Sequence, residues 1–372
     1  MSQDIQYSFE RNPLWRVKLR LQNTGWLQYL PLLIIGQLTL LISDALVSYS
    51  PGVASILKMM GKMLWTIGIF DILTLKFNIR PPEPRPKRRD DSEDNCSIIR
   101  LRHSCRSFQR RKLRDEDREE IIKIARMESK HTFGTTPIRL EYIDKPLQVW
   151  PTVNALEFFV AVGPAKYDRT SAIDVGHNLQ AVVLYATRMG LATCWIGPGA
   201  DHGSMTSLLK EKNVYKKESD HIFCVCAVGY KSIFVPSLIR LANIGSRIRK
   251  PYNELFFADV HFQMPLNTTK HPFSRFRKCY EAAMWSPSSF NAQPTRCVGT
   301  VNEDTVRFDF FSSTKSRFYA PIAVGIWLRD WEAACQSVGI KGRFAILSNQ
   351  ERGIEDNISP ELPVYNMSWL EE

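Results

Sequence analysis

The sequence predicts an α+β fold, and three observations support this prediction. Residues 156–162 form a largely apolar run that ends at Gly163 and Pro164, which is typical of a buried strand. Residues 175–186 repeat apolar side chains at the spacing of one buried helix face. Helices and strands then follow one another in mixed order, whereas a parallel α/β sheet requires a regular strand–helix–strand alternation.

The other elements are predicted in chain order by the same patterns. The acidic residues 115–117 favour a helix start, because negative charge is stabilising at a helix N-terminus. Gly190 and Gly229 end a helix and a strand respectively. The remaining predicted elements are strands at 192–196 and 222–228, a helix at 276–283, a hairpin at 297–311 and a helix at 322–338.

Composition narrows the class of ligand. The chain has 372 residues and a net charge of +11, which suits nucleic acid, anionic lipid or a phosphorylated ligand. No long Lys/Arg face interleaved with aromatic residues occurs, so nucleic acid is the weakest of these partners and none is expected. The eight cysteines and seven histidines show no metal-ligand spacing, so we expect buried, reduced thiols and no metal site.

The first 79 residues are predicted to form a separate membrane-anchor segment of one or two hydrophobic helices. No charged residue occurs between Arg20 and Asp44, and this apolar stretch is long enough to cross a bilayer. Trp26, Tyr29 and Tyr49 would lie at the membrane interface. We therefore expect membrane contact through residues 21–77.

A second apolar run, residues 53–77, is harder to interpret because it contains Lys58, Lys62, Asp71 and Lys76. Asp71 would be costly deep in a bilayer. This run could return across the bilayer, pair with the first run or lie in the interface, and the sequence leaves these alternatives open. If both runs cross, the flanking cations place the following domain in the cytoplasm. The alternative is a soluble cytoplasmic chain that carries a hydrophobic helical hairpin.

The rest of the chain is divided by composition. Residues 80–97 read as a basic, proline-rich and then acidic linker. Residues 98–350 would form the α+β domain, with one half at 98–262 and a second half at 263–350. Residues 351–372 read as a polar tail.

Two distant stretches contain candidate binding residues. Arg102, Ser104 and Arg106 offer two guanidinium groups and a hydroxyl in a short span, which suits a phosphate. Arg249 and Lys250 could complete an anion site, although each cation taken singly could equally be an exposed surface charge.

The loop at residues 286–294 combines hydroxyl, amide and proline residues and could hold a flat, polar ligand. Taken alone, it is equally consistent with a well-capped turn. No GxGxxG, Walker or Ser/His/Asp motif occurs, so the sequence nominates no catalytic side chain.

Residues 98 to about 345 resemble the flavin-dependent nitroreductase family. The closer likeness is to its putative-nitroreductase branch, in which two half-domains are fused in one chain. Four stretches carry the resemblance in the family's order: residues 102–108, 174–197, 249–257 and 286–294.

The resemblance implies a nitroreductase-like FMN-binding fold built as an intrachain pseudo-dimer, with a catalytic domain that is monomeric. The flavin would carry the chemistry in a ping-pong cycle, with NADH or NADPH as electron donor and a nitro compound, quinone or similar small molecule as acceptor. The residues implied to hold the phosphate are Arg102, His103, Ser104 and Arg106, closed by Arg249 or Lys250. Those implied to lie along the flavin ring are Ser288, Asn291 and Gln293, with the backbone of Ile196, Gly197 and Gly199.

The chain also departs from the family pattern. Thr295 replaces a tryptophan, Pro198 replaces a glycine, and residues 320–325 lack an acidic residue. Pro198 has no N–H to offer the flavin. The alternative function is therefore a catalytically degenerate, flavin-binding or flavin-free protein that serves as a membrane-tethered sensor or scaffold.

Overall fold

A computed structural model of the chain describes residues 13, 17–18, 20–21, 24–90, 92–147, 149–197, 202–244, 248–302, 305–354 and 363–372. These residues form helices and two mainly antiparallel sheets, which confirms the predicted α+β class.

Two apolar helices, α1 (Leu30–Leu46) and α2 (Pro51–Asp71), lie side by side, and a π-helical turn (Ile72–Lys76) extends α2. Small residues line their contact and let the backbones approach closely: Gly36, Ser43, Ala54, Gly61 and Gly68. Within the described chain, Pro51–Lys76 is the one helix long and apolar enough to cross a membrane, whereas Leu30–Leu46 is apolar but shorter.

The base of this helix pair contacts the rest of the protein. Asp71 is buried and accepts a hydrogen bond of 2.7 Å from the backbone N–H of Ser237. Asn154 Nδ2 donates to the carbonyl oxygen of Leu75. Asp71 therefore faces protein, which removes the cost expected from a lipid-exposed carboxylate.

The predicted linker packs against the domain. Arg80 and Glu83 form a buried ion pair of 3.3 Å, and Glu83 also accepts from Ser232 Oγ and Ile233 N. Arg89 Nε donates to the carbonyl oxygen of Thr187. Residues 80–89 are thus anchored because their cations find acceptors along the first half of the domain.

The first half contains a four-stranded antiparallel sheet with strand order β1-β2-β4-β3. Its long helix α5 packs on this sheet, which places apolar residues of the 175–186 stripe in the core. The elements are α3 (Asn95–Leu101), α4 (Asp115–Glu128), β1 (Arg139–Ile143), β2 (Glu157–Pro164), α5 (Arg169–Arg188), β3 (Ala192–Ile196), α6 (His202–Glu211), β4 (Asp220–Gly229) and α7 (Ser237–Ala242).

The second half contains a five-stranded sheet with order β5-β6-β7-β9-β8. Its strands β6-β7-β9-β8 repeat the order of the first sheet, and a long helix follows the second strand in both halves. The elements are β5 (Phe256–Phe257), α8 (Arg277–Ala283), β6 (Thr295–Asn302), β7 (Thr305–Ser312), α9 (Tyr319–Ser337), β8 (Gly342–Ala345), α10 (Asn349–Arg352) and β9 (Val364–Glu371), with 3-10 turns at Tyr252–Glu254, Phe273–Phe276 and Ser289–Asn291.

Two features of this sheet differ from the boundaries expected from sequence. Strand β5 precedes residue 262 but pairs with β6, so the second sheet begins before the predicted boundary. Strand β9 lies between β7 and β8, whereas a polar tail was expected at 351–372. The tail was predicted because its residues are polar. Ser368 is nevertheless buried, because it donates to Asp309 Oδ1 at 2.6 Å and its hydroxyl is therefore hydrogen-bonded inside the sheet.

The two long helices meet in the centre of the molecule. A Cβ at Gly176 of α5 would overlap the carbonyl oxygen of Ile322, and one at Gly325 of α9 would overlap that of Ile173. Only glycine permits this backbone approach. The crossing of α5 and α9 joins the halves and brings side chains from both to one seam.

Candidate active site at the seam of the two halves

Arg102 lies at the seam. It follows α3 as its C-cap residue and is only 7% exposed, and its Nε has no hydrogen-bond partner among the residues that the structure describes. Burial lowers the pKa of Arg102 to about 10; the Asp330 carboxylate opposes this effect, whereas the positive charge of Arg249 adds to it. Two guanidinium groups therefore lie close together in a region of low dielectric, which disfavours both charges unless an anion joins them.

Asp330 of α9 is fully buried and connects elements of both halves. Its Oδ1 accepts a hydrogen bond of 2.9 Å from Gln180 Nε2 of α5, and its Oδ2 accepts one of 2.7 Å from Ser286 Oγ. Trp195 Nε1 of β3 in turn donates to Gln180 Oε1 at 3.3 Å. Burial raises the pKa of Asp330 to about 6, although these donors and the Arg102 charge favour its ionised form.

The structure brings the loop at residues 286–294 and the Arg249–Lys250 pair together. Arg249 Nη1 donates to Asn291 Oδ1 at 2.6 Å, and the backbone N–H of Lys250 donates to Gln293 Oε1 at 2.9 Å. Ser288 Oγ accepts from the backbone N–H of Gln293 at 2.9 Å. These side chains thus fix the loop and place Arg249 beside it.

The backbone of this loop is unusual. Phe290, Asn291 and Gln293 all have positive φ, at 53°, 56° and 48°. Left-handed backbone is unfavourable for most residues other than glycine and tends to occur at functional positions. Phe290 is moreover 88% exposed, so its ring does not contribute to the core.

The other two predicted cations, Arg106 and Lys250, have different partners. Arg106 is half-buried and its guanidinium donates to Asn243 Oδ1. The positive charges of Arg106 and Arg102 both oppose the rise to about 11 that burial imposes on the pKa of Cys194, so both lie near β3. Lys250 is directed to Glu254, with Nζ 2.6 Å from a carboxylate oxygen.

Ser104 contacts strand β3, whereas His103 is exposed. Ser104 forms a bridge with Thr193, and the next residue, Cys105, donates its N–H to the carbonyl oxygen of Thr193 at 2.8 Å. His103 is exposed; its Nδ1 lies 2.9 Å from the Leu101 carbonyl oxygen and its Nε2 3.3 Å from Lys231 Nζ.

The predicted ring-contacting backbone is only partly described. Ile196 is buried and ends β3 opposite Val225 of β4. Gly197 faces Tyr319 at the start of α9, and a Cβ at Gly197 would lie 2.8 Å from Tyr319 Cε1. Gly199, together with Pro198, lies outside the described residues.

The donor set at the seam suits an anion. Arg102, Arg106 and Arg249 supply guanidinium groups, and Asp330 is the acid that acts on Arg102. Guanidinium groups bind phosphate oxygens in bidentate fashion, so the buried Nε of Arg102 fits such a partner. No group of three or more His, Cys, Asp or Glu side chains that could hold a metal ion occurs in the described part of the chain.

Sequence reasoning missed Gln180 and Asp330. Asp330 interrupts the otherwise apolar buried face of α9, and a lone polar residue in such a face must be hydrogen-bonded inside the protein. That interruption was the available signal. Gln180 gives no such signal, because it lies among other buried polar residues of α5, including His177 and Asn178. The partner of each residue, however, comes from the other half of the chain and could not be read from spacing.

Comparison with curated proteins finds no match. Among solved structures, the chain is similar to a nitroreductase described as putative from Thermotoga maritima, at 14% identity and a TM-score of 0.46, over 78% of this chain and 98% of that chain. It is also similar to a nitroreductase with bound FMN from Bacteroides fragilis, at 16% identity and a TM-score of 0.30, over 38% of this chain and 90% of that chain. A nitroreductase with bound FMN from Desulfitobacterium hafniense matches at 14% identity and a TM-score of 0.31, over 39% of this chain and 93% of that chain.

The comparison with protein families gives a match over most of the domain. The family described as "Putative TM nitroreductase" matches residues 95–335. This range begins at α3 and ends within α9, so it includes the basic stretch, the loop at residues 286–294 and Asp330. The chain therefore belongs to this nitroreductase family.

Proposed function

We propose that the protein is a membrane-attached, FMN-dependent oxidoreductase that uses NADH or NADPH to reduce a nitro compound, a quinone or a similar small acceptor. The observation that supports this most strongly is the buried Arg102, with its unsatisfied Nε and its close, like-charged neighbour Arg249. An anionic cofactor between them would relieve their repulsion and satisfy the buried donor.

In this proposal, Arg102, Arg106 and Arg249 hold the cofactor phosphate. Asp330 favours the charged form of Arg102, and is itself oriented by Gln180 and Ser286. When bound, FMN supplies the electron transfer between the nicotinamide donor and the acceptor.

The loop at residues 286–294 would supply polar contacts to the ring. Asn291 and Gln293 now donate to the carbonyl oxygen of Ile248, at 2.9 and 3.2 Å, and a ligand would take over part of this bonding. In this proposal, the loop contacts the ring from one half and β3 from the other, so the chain would hold a planar group between its two halves.

The repeated strand order supports a fused pseudo-dimer with a monomeric catalytic domain. The counterpart of the 286–294 loop is the segment at 129–137, which likewise joins a helix to the first strand of a sheet. Phe133 of that segment packs on His177 and Phe344, with ring centroids 5.0 and 5.6 Å apart. This packing fills the counterpart position and supports one cofactor site per chain.

Membrane attachment is supported by the outer surface of the α1–α2 pair. Large apolar side chains are exposed along it: Ile34, Leu38, Leu41, Ile42, Val53, Ile56, Met59, Met63 and Phe70. Pro51 to Phe70 spans about 30 Å at 1.5 Å per residue, which is about the thickness of the hydrocarbon core. Asp44 and Lys58 form an ion pair of 3.4 Å, which offsets part of the free-energy cost of placing their charges in lipid. The domain would then face the cytoplasm.

Full-length protein purified in detergent tests the cofactor assignment. We expect a flavin absorption spectrum, or its recovery after FMN is added, and rapid bleaching by NADH or NADPH. Arg102→Gln should weaken FMN binding roughly tenfold to hundredfold, the equivalent of one charge-assisted hydrogen bond. Lys123→Gln on the exposed face of α4 removes the same charge elsewhere and should leave affinity unchanged. A protein that stays colourless with added FMN would contradict the proposal.

One observation favours a second candidate, a degenerate flavin-binding or flavin-free sensor or scaffold tethered to the membrane. The Tyr319 ring covers Gly197, where the backbone was expected to approach the flavin. FMN binding without bleaching by either nicotinamide would favour this binder over the enzyme. Recovery of the full chain without detergent in the soluble fraction would contradict membrane attachment, whichever candidate holds.

A further inference from the structure

A cavity of about 300 Å³ lies at the base of the α1–α2 pair, apart from the seam. One wall is formed by residues 78–83, which follow the π-helical turn. The other is formed by residues 109–111, which follow Phe108. Its polar lining residues are Asn78, Arg80, Glu83, Gln109, Arg110 and Arg111. The volume is at the lower end of the range for small-ligand pockets, roughly 300 to 1,000 Å³.

The lining carries three guanidinium groups and one carboxylate. Glu83 is neutralised by Arg80, 3.3 Å away, and also accepts from Ser232 and Ile233. Arg110 and Arg111 are exposed and form no hydrogen bond or ion pair with another residue in the described ranges. The cavity therefore carries two uncompensated positive charges.

Arg110 acts electrostatically on Arg80. Burial lowers the pKa of Arg80, the Glu83 carboxylate raises it, and the positive charge of Arg110 lowers it further. The guanidinium groups of Arg80 and Arg110 are therefore close. Arg110 also has a φ of 52°, an unfavourable backbone conformation for arginine. Like charges grouped at one cavity favour the binding of an anion there.

The surroundings identify the kind of anion. Phe77 and Ile79, which flank Asn78, are both exposed, so apolar and cationic surfaces adjoin at the cavity. Lys76 Nζ lies 5.1 Å from the ring centroid of Trp26, which places an aromatic residue and a cation at the same base. Trp and Lys side chains in this arrangement are typical of headgroup depth.

We infer that this cavity binds the phosphate of an anionic membrane phospholipid, with the acyl chains along Phe77 and the α1–α2 pair. Basic pockets at the cytoplasmic ends of membrane helices are suited to lipid headgroups. This inference rests on the proposed membrane attachment but is independent of the flavin chemistry.

The test is native mass spectrometry of the full-length chain released from vesicles of phosphatidylcholine with phosphatidylglycerol. We expect phosphatidylglycerol to be retained in preference to phosphatidylcholine. In the double variant Arg110→Gln, Arg111→Gln, the preference for phosphatidylglycerol should fall roughly thirty-fold, because each cation near the membrane surface contributes roughly fivefold to the binding of an anionic lipid. The matched control, Lys123→Gln with Arg126→Gln, removes two exposed charges from α4 and should keep the preference.

Several outcomes would overturn the inference. Equal retention by the double variant and the wild type, or equal loss in the control, would show that the cavity is not the lipid site. Displacement of phosphatidylglycerol by inorganic phosphate would assign the cavity to a free phosphate. A wild-type chain that never associates with vesicles would remove membrane attachment and the headgroup site together, whereas FMN binding would be unaffected by either failure.

Discussion

Replacing Asp330 with asparagine should make the protein more stable at neutral pH. Asparagine has the same shape, and its Oδ1 can accept from Gln180 as the carboxylate does. Its Nδ2 can donate to Ser286 Oγ, since a hydroxyl both donates and accepts. The substitution therefore keeps both hydrogen bonds and removes only the buried charge.

The magnitude follows from the pKa of Asp330, which burial raises from the ordinary 3.8 to about 6. One pKa unit corresponds to about 1.4 kcal/mol, so the ionised carboxylate costs about 3 kcal/mol of folding free energy. The attraction of Arg102 is already included in this value. Because the folded state binds the proton more tightly than the unfolded state, stability is greatest below about pH 4 and is lost as pH rises through 6.

The assay is thermal unfolding of the full-length protein in detergent across this pH window. Above pH 6, the melting temperature of Asp330→Asn should exceed that of the wild type by several degrees, at roughly 2 °C per kcal/mol for a large domain. Near pH 4 the difference should vanish. Glu119→Gln, an exposed acid on α4, should follow the wild type at every pH.

A difference that does not change with pH would refute this reasoning, as would a lower melting temperature for Asp330→Asn at neutral pH. If the prediction holds, the wild type retains a carboxylate that destabilises its fold. Residues of that kind are expected at functional sites.

Two further predictions concern the loop and the helix pair. Asn291→Ala combined with Gln293→Ala should weaken FMN binding roughly tenfold while the melting temperature shows an intact fold; unchanged affinity in a titration would reduce the loop to a turn. Gly61→Ala should destabilise the protein by about 1–3 kcal/mol in thermal unfolding, because the new Cβ would lie 2.7 Å from Leu40 Cγ. Gly52→Ala meets nothing within 4 Å and should be neutral; equal effects would contradict the packing account.

The fold was predictable where burial and periodicity agree. Residues 157–162 of the predicted apolar run lie within β2, and the 175–186 stripe lies within α5, because a sheet and the helix packed on it must bury apolar side chains against each other. The loop at 286–294 was assigned to the same site as Arg102 only through the family resemblance. No local pattern relates residues so far apart in sequence.

What could not be predicted depends on polar groups that are satisfied by distant partners. Arg80 reads as a linker cation, yet it is buried because Glu83 and Ser232 accept its hydrogen bonds and charge. Ser368 reads as part of a polar tail, yet it lies in the centre of a sheet beside Asp309. In each case the polarity of the residue is visible in the sequence, whereas the partner that compensates for its burial is not.

Residues 102–110 link the two proposed sites. Arg102 lies at the seam and Arg110 at the base of the α1–α2 pair, with the bridge at Phe108 between them. Eight residues extend at most about 28 Å, which is no more than the thickness of the hydrocarbon core. A cofactor at the seam would therefore lie within one bilayer thickness of the lipid headgroups.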